Sequence, residues 1–249
     1  MRVQLFVTCL VDSLYPEVGE RTVALLERLG CTVEVPAGQT CCGQPAANSG
    51  YPDPARRVAR RFLEAFSEDA PIVAPFGSCV HMVRHQYPRL FASDAGALAR
   101  ARALGAQTYE LASFVVDRLG HETVGGRYPL ADGGSTPVAW HPECHLLRGL
   151  NGGAAPRRLL DGVERITLVE PAASTACCGF GGTFAIKLSE VSVAMADAKL
   201  DAALGAGARA IVSTDPGCLM HLEGRARHRG LDLAVHHLVD LLEPDGRLS

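Results

Sequence analysis

Short apolar runs alternate along this chain with longer stretches in which apolar residues recur every three or four positions, the pattern of strands alternating with amphipathic helices. Val3 to Val7 reads as a first strand that delivers Cys9 to its carboxyl end. Pro16-Glu17 opens a helix, since proline suits a first turn, and Val18, Thr22, Leu25, Leu26 and Leu29 keep helical spacing until Gly30. Cys31 to Val35 predicts a second strand, leading through Pro36 and Gly38 into Cys41-Cys42-Gly43. A helix from Pro54 places Val58, Phe62, Leu63 and Phe66 on one face, and Ile72-Val73-Ala74 is a third strand that turns through Pro75 to Ser78 into Cys79.

The same order then repeats. Val138 to Trp140 predicts a strand ending at Cys144, Pro156 to Leu160 a helical turn, and Ile166 to Val169 a strand feeding Cys177-Cys178-Gly179. Ser189 to Leu204 predicts a long helix with Val191, Met195, Ala198 and Ala202 on one side and Gly205 as its stop. Ala210 to Val212 is a strand that runs through Asp215-Pro216-Gly217 into Cys218. The closing segments, Phe114 to Leu119 and His237 to Leu242, resemble each other and predict helices. The expected fold is therefore α/β: two similar halves with mainly parallel sheets, related by internal duplication. The expected domains are residues 1–122 and 136–249, joined where Gly125-Gly126 and Gly133-Gly134-Ser135 dilute the periodicity.

Composition adds boundaries to this picture. With 249 residues and 47% hydrophobic content, the chain can bury an ordinary core without a disulfide scaffold. A net charge of -3, with Lys and Arg dispersed, argues against nucleic acid and anionic membrane as partners. Asp12 interrupts the first apolar run without a signal-peptidase pattern, and no stretch approaches the roughly 20 apolar residues of a membrane span. The expected location is the cytoplasm, where nine cysteines serve as thiols or metal ligands rather than disulfides.

Eight of those cysteines follow the duplication. The pair Cys41-Cys42 recurs as Cys177-Cys178, and each pair is bracketed by one upstream and one downstream cysteine, Cys9 and Cys79 in the first half and Cys144 and Cys218 in the second. Loops at the carboxyl ends of parallel strands cluster on one sheet edge, so residues distant in sequence meet there. Thiolates are soft ligands suited to iron-sulfur clusters or to zinc, and neighbouring glycines let backbone N–H groups approach the sulfurs. A single buried cysteine is ordinarily a small hydrophobe, which is the reading for Cys31, alone in lacking a counterpart. Four cysteines per half suffice for a 4Fe-4S cluster. Two structural zinc sites are the alternative, although vicinal cysteines with distant partners differ from the paired C-x-x-C spacing of common zinc modules.

These blocks also carry a resemblance. Cys9-Leu10-Val11-Asp12, Gly38-Gln39-Thr40-Cys41-Cys42-Gly43-Gln44-Pro45, Gly77-Ser78-Cys79, Cys144-His145-Leu146-Leu147-Arg148, Cys177-Cys178-Gly179-Phe180-Gly181-Gly182-Thr183-Phe184 and Gly217-Cys218-Leu219-Met220-His221 are similar to the cysteine-rich CCG domain. That domain occurs in heterodisulfide reductase B-type subunits and in iron-sulfur subunits of glycolate and glycerol-3-phosphate oxidation systems. Over nearly all its length the chain resembles the lactate utilization protein A family. The resemblance implies an iron-sulfur electron-transfer subunit of an L-lactate oxidation system, an oxidoreductase component rather than an enzyme active alone. Its implied partners are a ferredoxin-like iron-sulfur protein and a third subunit, with the 2-hydroxy acid bound on this chain, at a site shared between subunits, or on a partner. In heterodisulfide-reductase-type domains a fifth cysteine follows the last one, whereas this chain has Met82 and His221 there. The cluster form therefore stays open, and a thiol or heterodisulfide reductase role is a further alternative that the missing fifth cysteines count against.

His221 is the candidate for a catalytic role, as proton donor or extra ligand, and Met82 reads as packing. His81, His85, His141 and His145 lie close to the cysteines and read as hydrogen-bond donors around the ligands or as merely exposed residues, rather than as catalysts, while His236 and His237 read as surface or packing residues of a terminal helix. Gly179 to Gly182 lacks both the dinucleotide spacing and the Lys-Ser/Thr end of a phosphate loop.

Overall fold

The computed structural model describes residues 1–129 and 134–244, so part of the glycine-diluted joint, including Gly133, lies outside the described residues. Two compact units divide the chain, Met1–Phe114 and Val115–Ser249. Each is built on a four-stranded, wholly parallel sheet.

In the first unit the strands are β1 (Arg2–Leu5), β2 (Thr32–Glu34), β3 (Ile72–Ala74) and β4 (Thr108–Glu110), in the spatial order β2-β1-β3-β4. Gln4 of β1 aligns with Glu34 on one side and Ile72 on the other, so β1 is central. The second unit repeats the order as β6-β5-β7-β8, with β5 (Thr136–Trp140), β6 (Ile166–Val169), β7 (Ala210–Ser213) and β8 (Ala234–His237). Because successive connections leave the central strand in opposite directions, each sheet has a switch point between its two inner strands, β1 and β3 or β5 and β7. The chain ends diverge there and leave a crevice at the carboxyl edge. Cys9 follows β1 and Cys79 follows β3, while Cys144 follows β5 and Cys218 follows β7.

Most predicted elements form where the periodicity places them, and the differences have physical causes. The helix expected from Pro54 begins two residues earlier, at Pro52–Ala65, because Pro52 itself occupies the first turn. Ser189–Gly205 runs through its expected stop, and the left-handed glycine that ends it is Gly207, at φ +78°. The face assigned to this helix is also displaced: Ser192, Ala196, Lys199, Leu200 and Ala203 are buried, whereas Val191 is 51% exposed. An alanine-rich helix carries too little apolar contrast to mark its inner face, and here that face includes a serine and a lysine. His236 and His237 belong to β8 instead of a terminal helix, and His237 caps Leu238–Leu241, its Nδ1 accepting from the Val239 N–H at 3.1 Å. The three-residue β4 and four-residue β8 are both too short to show a period.

The units fill the space beneath their sheet edges differently. In the first, Phe6 meets Phe62 edge-on at 5.0 Å, Phe62 stacks on Phe66 at 4.4 Å, and Tyr87 meets Phe62 edge-on at 5.5 Å. Each such ring contributes about 2–3 kcal/mol through burial. In the second, small residues dominate the core that includes Cys178 and Cys218: Ala139, Ala196, Ala203, Ala208 and Ala226, with Leu200 and Leu222.

Candidate functional site

Each unit gathers its four cysteines at the carboxyl edge of its sheet. In the first, side-chain hydrogen bonds link Cys41 to Cys42 and to Cys9, and Cys42 to Cys79. In the second, the same series joins Cys144, Cys177, Cys178 and Cys218, with 3.1 Å between the Cys178 and Cys218 sulfurs. None of the nine cysteines is in a disulfide, and Cys31 is buried immediately before β2.

Local geometry explains the assembly. The loop carrying Cys41 is fastened to β1 by Gln39, whose Oε1 accepts from the Val7 N–H at 2.9 Å and whose Nε2 donates to the Leu5 carbonyl at 3.1 Å. Gly43 and Gly179 follow the pairs at φ +86° and +92°, a region that favours glycine. Their N–H groups donate to the Cys41 and Cys177 sulfurs, both at 3.4 Å. Thr8, immediately before Cys9, is held at φ 69°, a strained setting for a β-branched residue. Beside it, a cleft of about 290 Å³ opens between the ends of β1 and β2, lined by Thr8, Cys9, Asp12, Gln39, Thr40 and Cys41.

The thiols divide into two electrostatic kinds. Hydrogen bonds from Cys42 and Cys9 hold the Cys41 thiol far below its ordinary range, and bonds from Cys144 and Cys178 do the same for Cys177. Their partners Cys9 and Cys144 are pushed up by the same bonds and by burial. A hydrogen bond with Cys178 acts to lower Cys218, but burial beside Asp215 and Glu143 carries it up to about 12. Each unit thus favours one thiolate among four sulfurs, and further deprotonation calls for a cation.

The two surroundings are related position by position. The carbonyl of Ala55 lies 3.2 Å from where a Gly43 side chain would begin, and that of Ser192 lies 2.6 Å from the same point at Gly179. This register matches Ala55 to Ser192 and Val58 to Met195, and continuing it along the two helices matches Phe62 to Lys199. Counting back from Cys9 and Cys144 matches Phe6 to His141 and Thr8 to Glu143. Where the first unit is aromatic, the second is ionisable.

His141 is 1% exposed, and among the described residues neither ring nitrogen has a hydrogen-bond partner. Burial, reinforced by Lys199, lowers its pKa to about 3, which keeps the imidazole neutral. Its ligand nitrogen and the sulfurs of Cys178 and Cys218 all lie within 4.8 Å of one another, the one such trio among the described residues. The Lys199 ammonium donates to the carbonyls of Ser174 and of Ala176, the latter at 3.2 Å, and so ties the loop before Cys177 to the helix. Glu143 accepts from the N–H groups of His145 and Leu146 at 3.0 Å each, and Asp215 accepts from the Cys218 N–H at 3.0 Å.

Of the other histidines, His221 lies with Nε2 3.1 Å from Ser192 Oγ, and that hydroxyl donates to the Gly179 carbonyl at 2.8 Å. It therefore reaches the cysteine loop through Ser192. His145 stands 3.8 Å from the Glu143 carboxylate, and the His81 and His85 rings are 5.0 Å apart. Met82 is fully buried. Lys199, Ser192, Glu143 and Asp215 were not singled out from the sequence. A lysine within an otherwise small and apolar helix face was the one available signal.

The family model of the CCG cysteine-rich domain matches residues 3–84 and 138–223, one copy in each unit. A lactate utilization protein A of Macrococcus caseolyticus is 47% identical over 242 residues, covering 97% of this chain and 96% of its own. The chain belongs to the lactate utilization protein A family. The family's protein from Exiguobacterium is 46% identical, covering 96% of both chains, and that from Bacillus subtilis is 41% identical over 97% of this chain and 99% of its own. The family match thus spans both thiol sets. No helix among the described residues is long and apolar enough to cross a membrane.

Proposed function

We propose that this chain is the iron-sulfur electron-transfer subunit of a cytoplasmic system that oxidises L-lactate to pyruvate. The observation that carries the reading is the series of four thiols at the switch point of each parallel sheet, present twice. The residues fit such a group. Each set supplies four soft donors, one of them already favoured as thiolate, with glycine N–H groups directed at sulfur. Vicinal cysteines with distant partners, unlike the paired C-x-x-C spacing of common zinc modules, favour a cluster over single zinc ions.

Cys9, Cys41, Cys42 and Cys79 would hold one group, and Cys144, Cys177, Cys178 and Cys218 the other. An iron-sulfur cluster bound there, conventionally of the 4Fe-4S type, supplies one-electron transfer. The role in lactate utilization follows from the relatives' name. A ferredoxin-like protein and a third subunit, which the family resemblance implies, would complete the system. His221, whose Nε2 lies 3.1 Å from Ser192 Oγ, would relay a proton near the second set. Nine cysteines outside any disulfide suit the reducing cytoplasm.

Anaerobic reconstitution, followed by iron, sulfide and zinc counting, tests the reading. Iron and sulfide are expected in equal amounts, with Cys42→Ser and Cys178→Ser each removing the complement of its own unit. Zinc without sulfide would sink the proposal in favour of structural metal sites.

A further inference from the structure

The two units share their cysteines but not the residue that follows the central strand, Phe6 in one and His141 in the other. Phe6 is spent on packing against Phe62 and Phe66. His141 is as deeply buried, yet among the described residues both its ring nitrogens lack a partner. Burying two idle polar atoms is unfavourable, and native interiors rarely tolerate it unless an ion or ligand completes the site. The His141 nitrogen, Cys178 and Cys218 lie within 4.8 Å of one another. Nitrogen and sulfur bound to one metal ion at about 2.0 and 2.3 Å stand about 3.6 Å apart at a tetrahedral angle, so a modest turn of the ring brings the nitrogen within ligating reach of an iron held by one of these sulfurs.

We propose that the second unit holds its iron-sulfur group through His141 as well as cysteine, as a mixed nitrogen and sulfur site, while the first unit is ligated by sulfur alone. The proposal rests on the iron-sulfur reading above. It has a consequence for electron flow. Imidazole brings less negative charge to the site than a thiolate does, and the Lys199 ammonium, held on the Ser174 and Ala176 carbonyls, stands beside the Cys177 loop, so the second unit is the more readily reduced of the two. The first unit has no such aid, since Phe62 occupies the position that matches Lys199.

The test uses the full chain, reconstituted anaerobically, reduced, and studied by pulsed electron paramagnetic resonance with and without ¹⁵N-histidine. A hyperfine coupling of the size given by directly bound imidazole is expected. It should change with the label, persist in His145→Gln and His221→Gln, and vanish in His141→Phe and His141→Asn. In a redox titration the higher of two waves should move to lower potential in those two variants, with the lower wave unmoved. A coupling that survives loss of His141 overturns the assignment, as does a full complement of iron and sulfide without bound nitrogen, and the iron-sulfur reading then stands. Absence of iron and sulfide from the wild type overturns both. If neither His141 variant folds, the labelled wild-type spectrum decides: no directly bound nitrogen refutes the assignment, and a coupling untouched by the other two substitutions upholds it.

Discussion

The first unit backs its four cysteines with aromatic rings, and the second backs the matching four with ionisable groups. Phe6, Phe62 and Ala55 in one become His141, Lys199 and Ser192 in the other, while strand order, cysteine series and the glycine after each pair stay the same. The scaffold that gathers the thiols therefore does not depend on the chemistry beneath them. Rings stabilise the first site by burial and edge-to-face contact. The second achieves comparable closure only because its polar groups find partners, Lys199 on two carbonyls and Glu143 and Asp215 on backbone N–H groups. Among the described residues of this unit, the His141 ring and the Thr214 hydroxyl stand apart from that pattern.

Exchanging the matched residues should break the comparison most severely. Phe62→Lys would bury an ammonium among Phe6, Phe66 and Tyr87, and is expected to cost about 4 kcal/mol or more, enough to unfold the first unit in thermal melts. Lys199→Met keeps the packing volume but frees two carbonyls, for an expected loss of about 2 kcal/mol by urea denaturation. Equal losses would show that the two environments are not specialised as described.

The glycines give a finer contrast. At Gly179 a new side chain would begin 2.6 Å from the Ser192 carbonyl and 2.8 Å from Met195 Cβ, whereas at Gly43 the nearest atom, the Ala55 carbonyl, is 3.2 Å away. Both positions have positive φ, so Gly43→Ala is expected to cost about 1–2 kcal/mol and Gly179→Ala about 3 kcal/mol. Unfolding midpoints of the two variants check the order.

The smallest effect concerns acid. Arg225, and then Arg229, hold the Asp197 carboxyl below its ordinary value of 3.8 and pin helix Ser189–Gly205 to Pro216–His228. A depressed carboxyl stabilises the fold above its unfolded pKa, and that contribution is lost as pH falls through the folded value. Asp197→Asn should therefore flatten the acid limb of the stability profile below about pH 4. An unchanged slope would remove Asp197 from the account.

Much of this architecture was legible in sequence. Strands that lead towards a cysteine beside well-marked helices were legible even at three residues, as in β2 and β3, and the repeated cysteines marked both candidate sites because rare, reactive residues seldom recur in register by accident. β4 and β8, also short, lead to no cysteine and are defined mainly by hydrogen bonds to β3 and β7. The inward face of Ser189–Gly205 was misplaced because its burial includes Ser192 and Lys199, which only partners elsewhere in the chain make tolerable.

By itself, then, the sequence determined the duplication, the parallel α/β units and the eight thiols, all properties carried by local period and spacing. Tertiary structure alone decided what stands behind those thiols. Whether a buried Phe, His or Lys is favourable depends on which atoms the fold brings within reach of it, and those atoms come from distant parts of the chain. His141 shows this most clearly, since neighbouring residues give it the look of an ordinary histidine and only the fold sets it beside Cys178 and Cys218.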